Sequence, residues 1–367
     1  MKILVICNSA LGLYSFREQL IKKLINKEHT VSVVLPMSTE SVELKAEEQI
    51  RNLGCTLYHI KMERRSMNPL LDIKLLFGYN TIIKKSKPDY VITYTIKPNI
   101  YAGFLCYLKS IPYAVNVTGL GSAFQVNGYL KKFVIGLYRF ALKRVRITFF
   151  ENVENRDVFV RYKIVPTSKT CLLNGAGVDL NRYTYLDYPQ DCSETRFLFV
   201  GRVMSEKGIQ ELFKACHALY QDKIKFSLHI VGGCEEDYSN LIKKFTQEGW
   251  LYYYGYQMDV RTFIKNCHCV VLPSWHEGMA NTNLEAAASG RPVITSNIHG
   301  CLEAIQDGVT GYLVKKQDVS DLYRVMKSFT ELPYTQRVKM GVLGREHMEQ
   351  VFDKDEVVER TIEELNL

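Results

Sequence analysis

Short runs of apolar residues, rich in valine, isoleucine and aromatics, alternate along most of the chain with longer segments in which apolar positions recur every three or four residues. A continuous apolar run is the mark of a strand buried on both faces, and the helical period that of the segment carrying the chain back to the next parallel strand. The runs predict strands at 3–6, 31–35, 56–60, 90–93, 113–117, 148–150 and 170–173. The alternation then breaks at NGAGVDLNRYTYLDYPQDCSE, where Gly175, Gly177, Pro189 and polar residues replace it. It resumes at FLFVG, with strands at 197–201, 226–231, 251–254, 269–272, 292–295 and 311–314, and beyond Asp318 only helical pattern remains. The chain therefore reads as α/β, with two Rossmann-like, doubly wound parallel-sheet domains at 1–180 and 196–345. A linker is expected over 181–195, and a helical tail, 346–367, is expected to return to the first domain. At 367 residues the chain is long enough for two cores, since single domains run ~100–200 residues. Ligands of such sheets bind beyond the carboxyl ends of the strands, so two in tandem imply a cleft.

Charge divides the chain unevenly. Residues 1–180 carry 26 lysines and arginines against 13 aspartates and glutamates, and the remainder 21 against 26, so the net +8 is +13 followed by −5. The first half is thus directed toward something anionic: phospholipid, a phosphorylated substrate or nucleic acid. The ten cysteines lie scattered in apolar runs with no CxxC or paired zinc spacing, the pattern of reduced, buried thiols. Cys267 and Cys269 flank His268, but without a second cluster they read as core. In MKILVICNSALG, Asn8 cuts the apolar run short of a signal peptide's ~7–15 residues, so this is read as a first strand. No run approaches the ~20 apolar residues of a membrane-spanning helix, and any membrane attachment is expected to be peripheral.

One segment gives that attachment a face. In LKKFVIGLYRFALKRVRI, read as a helix over 130–147, Lys132, Arg139, Lys143 and Arg146 fall within about 60° of one another, while Val134, Leu137, Tyr138, Ala141 and Val145 lie opposite. A cationic stripe of this kind suits an anionic membrane surface, the reading the basic first half favours, and the alternative is a solvated helix packed on a sheet by its apolar side. Lys61, Arg64 and Arg65 are further candidates for that surface or for an acceptor diphosphate.

Three segments carry chemistry. After VVLPS the chain runs WHEGMANTNLEAAASGRPVITS, a loop entering a helix, which puts Glu277 on the entry loop and Glu285 one turn inside. The backbone N–H groups of about Ala280, Asn281, Thr282 and Asn283, after Gly278 and Met279, then form a helix N-terminus, which attracts phosphate or sugar hydroxyls without a cationic side chain. In FLFVGRVMSEKGIQELF, Arg202 and Lys207 bracket a loop at a strand's carboxyl end, where a forked guanidinium and a point charge suit a diphosphate. In SALGLYSF, Gly12 lets a phosphate approach the backbone. Taken singly, each of these is also what a solvated surface looks like.

Together, in this order, they resemble the family-4 glycosyltransferases of the GT-B fold. The resemblance spans nearly the whole chain: SALGLYSF, RRSMNPLLDIKLL (64–76), VTGLGSAF (117–124), NGAGVDLNRY (174–183), GRVMSEKG (201–208), VVLPSWHEGMANTNLEAAASGRPVITS (270–296) and HGCLEAIQDGVTGYLV (299–314). SMNP and VTGLGS look most like the branch that extends polyprenyl-diphosphate-linked saccharides in capsule, O-antigen and glycoprotein-glycan assembly. The resemblance implies a retaining transferase using a UDP-sugar, with UDP-N-acetylgalactosamine as the analogy's donor. It implies a polyprenyl-diphosphate-linked acceptor, no cofactor or metal, and a place on the cytoplasmic face of the anionic inner membrane. It puts Arg202 and Lys207 on the donor diphosphate, Glu285 on the ribose, Glu277 beside the transferred sugar, and the backbone from Gly278 onward on sugar hydroxyls and the distal phosphate. Thr118 stands where many relatives carry a histidine that contacts the donor sugar, and it cannot carry charge. Tyr94 also replaces a frequent histidine, so Tyr94, Lys97 and Thr118 are candidates for acceptor and sugar contacts particular to this chain. The only Asp-x-Asp, Asp353 with Asp355, lies in the helical tail away from any strand end.

Other classes fit less well. A nicotinamide or flavin enzyme requires a G-x-G-x-x-G after a strand, and none occurs. The basic residues form no zinc, helix-turn-helix or RNP pattern, so nucleic acid is not the expected partner. The same fold acting on a soluble acceptor, or as a sugar-nucleotide epimerase, remains open.

Overall fold

The computed structural model describes residues 1–63, 66, 68–121, 124, 128–190 and 193–367; Arg64 and Arg65 lie outside them. The chain divides into two compact units, Met1–Ala176 with Asp355–Leu367, and Gly177–Lys354. All thirteen strands expected from the apolar runs are present, and every strand pair is parallel.

The first unit runs β1 (Lys2–Ile6), α1 (Ala10–Asn26), β2 (Thr30–Pro36), α2 (Ser41–Asn52), β3 (Thr56–Ile60), α3 (Pro69–Ser86), β4 (Tyr90–Tyr94), a π-helical turn (Pro98–Ala102), α4 (Gly103–Lys109), β5 (Tyr113–Val117), α5 (Tyr129–Ala141), β6 (Ile147–Phe150), α6 (Val153–Arg161) and β7 (Thr170–Leu172). The seven strands lie in the order β3-β2-β1-β4-β5-β6-β7. Successive side chains of a strand face opposite ways. Ile3 and Val5 pack with α1 and α2 on one face, and Leu4 and Ile6 with α3, α4 and α5 on the other. Chains leaving the neighbouring strands β1 and β4 therefore part to opposite faces, which makes the gap between them a topological switch point.

The second unit runs β8 (Thr195–Val200), α7 (Ile209–Gln221), β9 (Phe226–Val231), α8 (Ser239–Gln247), β10 (Leu251–Tyr253), α9 (Arg261–Asn266), β11 (Cys269–Leu272), α10 (Asn281–Ala288), β12 (Val293–Ser296), β13 (Gly311–Val314), α11 (Val319–Glu331) and α12 (Tyr334–Val351). Its six strands follow β10-β9-β8-β11-β12-β13, with the switch point between β8 and β11. Helices α7, α8 and α11 cover one face, and α9, α10 and α12 the other.

Two boundaries differ from the sequence reading. The described part of the expected linker, 181–190 and 193–195, is built into the second unit, where the fully buried Arg291 guanidinium donates to the carbonyls of Leu186 (2.9 Å), Asp187 (2.8 Å), Ile264 (3.0 Å) and Lys265 (3.0 Å). A buried arginine needs all its donors satisfied, and this segment supplies two of the acceptors. The tail changes units later than residue 346: α12 stays on α10, with Arg345 donating to Tyr183 O (2.7 Å) and Ala288 O (3.0 Å). Only the final helix, α13 (Lys354–Leu365), seals the first unit, burying Val357, Val358, Ile362 and Leu365 against the β1–β4 face.

The segment read as one helix over 130–147 also ends early, at Ala141. Val145 is fully buried, Arg146 N–H donates to Tyr113 O (3.0 Å), and Ile147 pairs with Ala114, so β6 claims the chain. Lys143 and Arg146 thus lie beyond the helix, and Lys132 and Arg139 on it.

Candidate functional site

At the switch point of the second unit, glycines let two loops touch. After β8, Gly201 leads through Arg202 to a 3₁₀ turn (Ser205–Lys207) closed by Gly208, whose φ of +71 only glycine takes cheaply. A Cβ there would stand 2.0 Å from the carbonyl oxygen of Pro273, just past β11. Trp275 N–H donates to Glu206 O (2.9 Å), tying the loops a second time. Gly300 lies equally close to the next turn, where a Cβ would stand 2.7 Å from the Glu277 carbonyl oxygen, and its own carbonyl accepts from Ala280 N–H (2.7 Å).

This framework brings Lys207 and Glu277 together as an ion pair, the Glu277 carboxylate also accepting from Ser274 Oγ (2.8 Å). Both side chains are more than four-fifths shielded, so little water screens the pair. Past Glu277 the chain turns through Gly278, Met279 and Ala280 into α10 at Asn281. That helix begins with no side-chain cap and no acidic residue in its first turn, so the charge nearest its positive end in the loop before it is Glu277. Thr282 Oγ1 donates to Val200 O (3.2 Å), binding the helix start to the end of β8.

Glu285, one turn inside α10, is partly buried. Burial pushes its carboxyl up to about 7, against a hydrogen bond from the Tyr183 hydroxyl and the charges of Arg182 and Lys354. Arg202 differs in kind: its side chain is half exposed and pairs with Glu235 at 2.9 Å. Beside Glu277, burial lowers the His276 imidazole, opposed by the carboxylates of Glu206 and Glu277.

The remaining predicted residues belong to the first unit. Gly12 lies within α1, where its N–H donates to the capping Ser9 Oγ (3.0 Å). The neighbouring amides of Ala10 (2.6 Å) and Leu11 (3.2 Å) and the Ser9 hydroxyl (2.7 Å) go to the buried Glu43 carboxylate, so the N-terminus expected to meet a phosphate already holds an anion from α2. Tyr94 is buried beneath the Arg17 guanidinium, 5.0 Å from its ring centroid, and Arg17 pairs with Glu151 at 2.8 Å. Lys97 pairs with Asp72 at 2.9 Å, and Thr118 is half-buried in the bend after β5. Arg139 donates to Tyr162 O at 2.6 Å, and Lys143 lies over the Tyr107 ring.

Sequence reasoning missed Ser274, Tyr183, Gly300 and Glu43. The first three fall inside motifs quoted for the family resemblance, so their signal was present. Glu43 sits in an ordinary helical stretch, and nothing in its surroundings in the sequence marks it.

Two family models match consecutive parts of the chain: "Glycosyl transferase 4-like" over residues 2–152 and "Glycosyl transferases group 1" over 189–347. The chain is 28% identical over 338 residues, 88% of this chain and 87% of the relative, to N,N'-diacetylbacillosaminyl-diphospho-undecaprenol alpha-1,3-N-acetylgalactosaminyltransferase of Campylobacter jejuni. It is 26% identical over 286 residues, 73% of each chain, to UDP-Gal:alpha-D-GlcNAc-diphosphoundecaprenol alpha-1,3-galactosyltransferase of Escherichia coli. Among solved structures, HepE of Anabaena in complex with UDP and glucose superposes with a TM-score of 0.80 over 100% of this chain and 99% of that one, at 16% identity. At that identity the likeness is one of fold.

Proposed function

The chain belongs to the family-4 glycosyltransferases of GT-B fold, and from that premise we propose that it moves a sugar from a UDP-sugar onto an undecaprenyl-diphosphate-linked saccharide in bacterial surface polysaccharide assembly, with retention at the anomeric carbon. The observation that carries this reading is the shielded Lys207–Glu277 pair at the switch point of the second unit, next to the uncapped start of α10. The acceptor class rests on the two relatives that act on undecaprenol-linked saccharides, and N-acetylgalactosamine is the donor sugar favoured by the Campylobacter relative.

In this reading Lys207 and Arg202 turn from Glu277 and Glu235 to the donor diphosphate. Glu285 accepts the ribose hydroxyls, and the backbone from Gly278 onward, through Met279, Ala280 and Asn281, lies against the sugar. The bond from the anomeric carbon to the diphosphate oxygen breaks, and its electron pair leaves with UDP. The acceptor hydroxyl attacks from the same face and passes its proton to the departing phosphate oxygen. These two cations neutralise the charge that develops there, so the reading requires no metal. Glu277, held by Ser274 and released by Lys207, faces the positive charge that grows on the sugar.

The acceptor's lipid requires a membrane surface. No helix among the described residues is long and apolar enough to cross a membrane. The reading therefore attaches the first unit peripherally, on the cytoplasmic leaflet. Exposed Phe133 (64%) and Phe140 (51%) accompany Lys132 and Arg139 on α5, and Leu70, Ile73 and Phe77 stand exposed on α3. Apolar side chains beside cations are what interfacial binding uses.

The test is a screen of UDP-sugars against a synthetic polyprenyl-diphosphate sugar, run with and without chelator, with the product's anomeric configuration determined. An α-linked product from an α-linked donor, formed in chelator, is expected. An inverted product sinks the retaining mechanism, and transfer only to a free saccharide favours a soluble acceptor.

A further inference from the structure

The switch point of the first unit carries a strain that packing alone does not call for. Thr95, directly after β4, has φ +72, in the left-handed region that a β-branched residue occupies only at a cost. Its hydroxyl is buried with no hydrogen-bond partner. Three residues on begins the π-helical turn Pro98–Ala102, a rare form frequently found at functional sites.

The strain has an identifiable support. Thr93 Oγ1 donates to Asn99 Oδ1 (2.8 Å), Asn99 Nδ2 donates to Asn116 O (2.8 Å), and Asn116 Nδ2 donates to Thr93 O (3.2 Å), all buried. This closed ring pins the chain on both sides of Thr95 to β4 and β5. Backbone strain of this kind persists only where the surroundings over-determine it, and it clusters at sites of function. The buried hydroxyl is a second cost carried at the same residue.

The place is also the one where a ligand is expected. Ile6 of β1 pairs with Thr93 of β4, and beyond that step the two chains part to opposite faces of the sheet. We infer that Thr95 is an acceptor-positioning residue, its hydroxyl held by the Thr93–Asn99–Asn116 ring to hydrogen-bond an oxygen of the diphosphate-linked acceptor saccharide. The inference rests on the reading that the chain transfers sugar to such an acceptor.

The experiment measures steady-state transfer to a short-chain polyprenyl-diphosphate sugar for the wild type, T95V and T95S. Valine keeps the β-branch and the strain but removes the hydroxyl, and serine keeps the hydroxyl. T95V is expected to raise the acceptor KM about tenfold, the worth of one hydrogen bond, with donor KM unchanged and the unfolding midpoint no lower than the wild type's, since an unpartnered buried hydroxyl is removed, and T95S to stay near wild type. If T95V matches the wild type, or raises both KM values alike, the inference falls while the functional reading stands. A wild type that releases UDP no faster when the lipid-linked acceptor is added overturns the functional reading, and the inference with it.

Discussion

Glu285 keeps a proton that an ordinary carboxyl gives up, since burial pushes it from 4.5 to about 7. Between those values the folded chain holds a proton that the unfolded chain has released. This group's contribution to stability is therefore fully present below about pH 4.5 and is lost as pH rises through 7. Replacing Glu285 by glutamine removes that slope, so E285Q is expected to gain on the wild type in thermal midpoint between pH 5 and pH 8, while UDP binding weakens. Melting curves at both pH values check it, and an equal gap at each would rule out burial as the cause. Lys207 and Arg202 separate by shielding. K207A, which also strands the Glu277 carboxylate, should lower kcat/KM for the donor ~10²–10³-fold, whereas R202A, half exposed and easily replaced by water, should cost about tenfold. Because Lys207 and Glu277 share one interaction, K207A and E277A should combine to much less than the product of their separate effects.

At the scale of elements, α5 is the one whose part in the proposed reading depends on what it leaves outside. Its charges were legible because cations at helical spacing stand out in a sequence, but its length was not: the amphipathic period continues past Ala141, and the helix stops because β6 pairs with β5. Nor did the periodicity reveal that Phe133 and Phe140 face outward, since an aromatic in such a pattern is normally core. Two separable contributions to membrane attachment follow. Reversing Lys132 and Arg139 to glutamate should abolish the salt-sensitive part of binding to anionic vesicles, each cation being worth ~1 kcal/mol near the surface. Changing Phe133 and Phe140 to serine should remove the part that survives high salt. Vesicle sedimentation at low and high salt reads both, and binding that ignores all four substitutions would leave α5 a solvated outer helix.

For the whole molecule, the strands were readable because buried parallel strands write themselves as apolar runs, whereas the switch points follow from strand order and the unit boundaries from polar contacts, neither of which leaves a periodic trace. Arg291 draws Leu186 and Asp187 into the second unit through their backbone carbonyls, which any sequence supplies. The final helix is the converse case, where apolar spacing was visible but its destination was set by the β1–β4 face it covers. Burying Val357, Val358, Ile362 and Leu365 is worth on the order of 6–12 kcal/mol at about 1.5–3 kcal/mol per side chain, an upper bound because the unfolded chain hides part of that surface. A whole domain's stability is only ~5–15 kcal/mol. A chain ending at Lys354 should therefore lose the first unit's cooperative unfolding transition, or lower it steeply. The second unit's transition should stay in place, because the Arg291 and Arg345 contacts that organise it lie before the cut. Calorimetry of the two chains with and without UDP distinguishes the units, since in the proposed reading UDP raises only the second transition. If truncation lowered both transitions equally, α13 would be holding the two units together as one cooperative body rather than sealing the first.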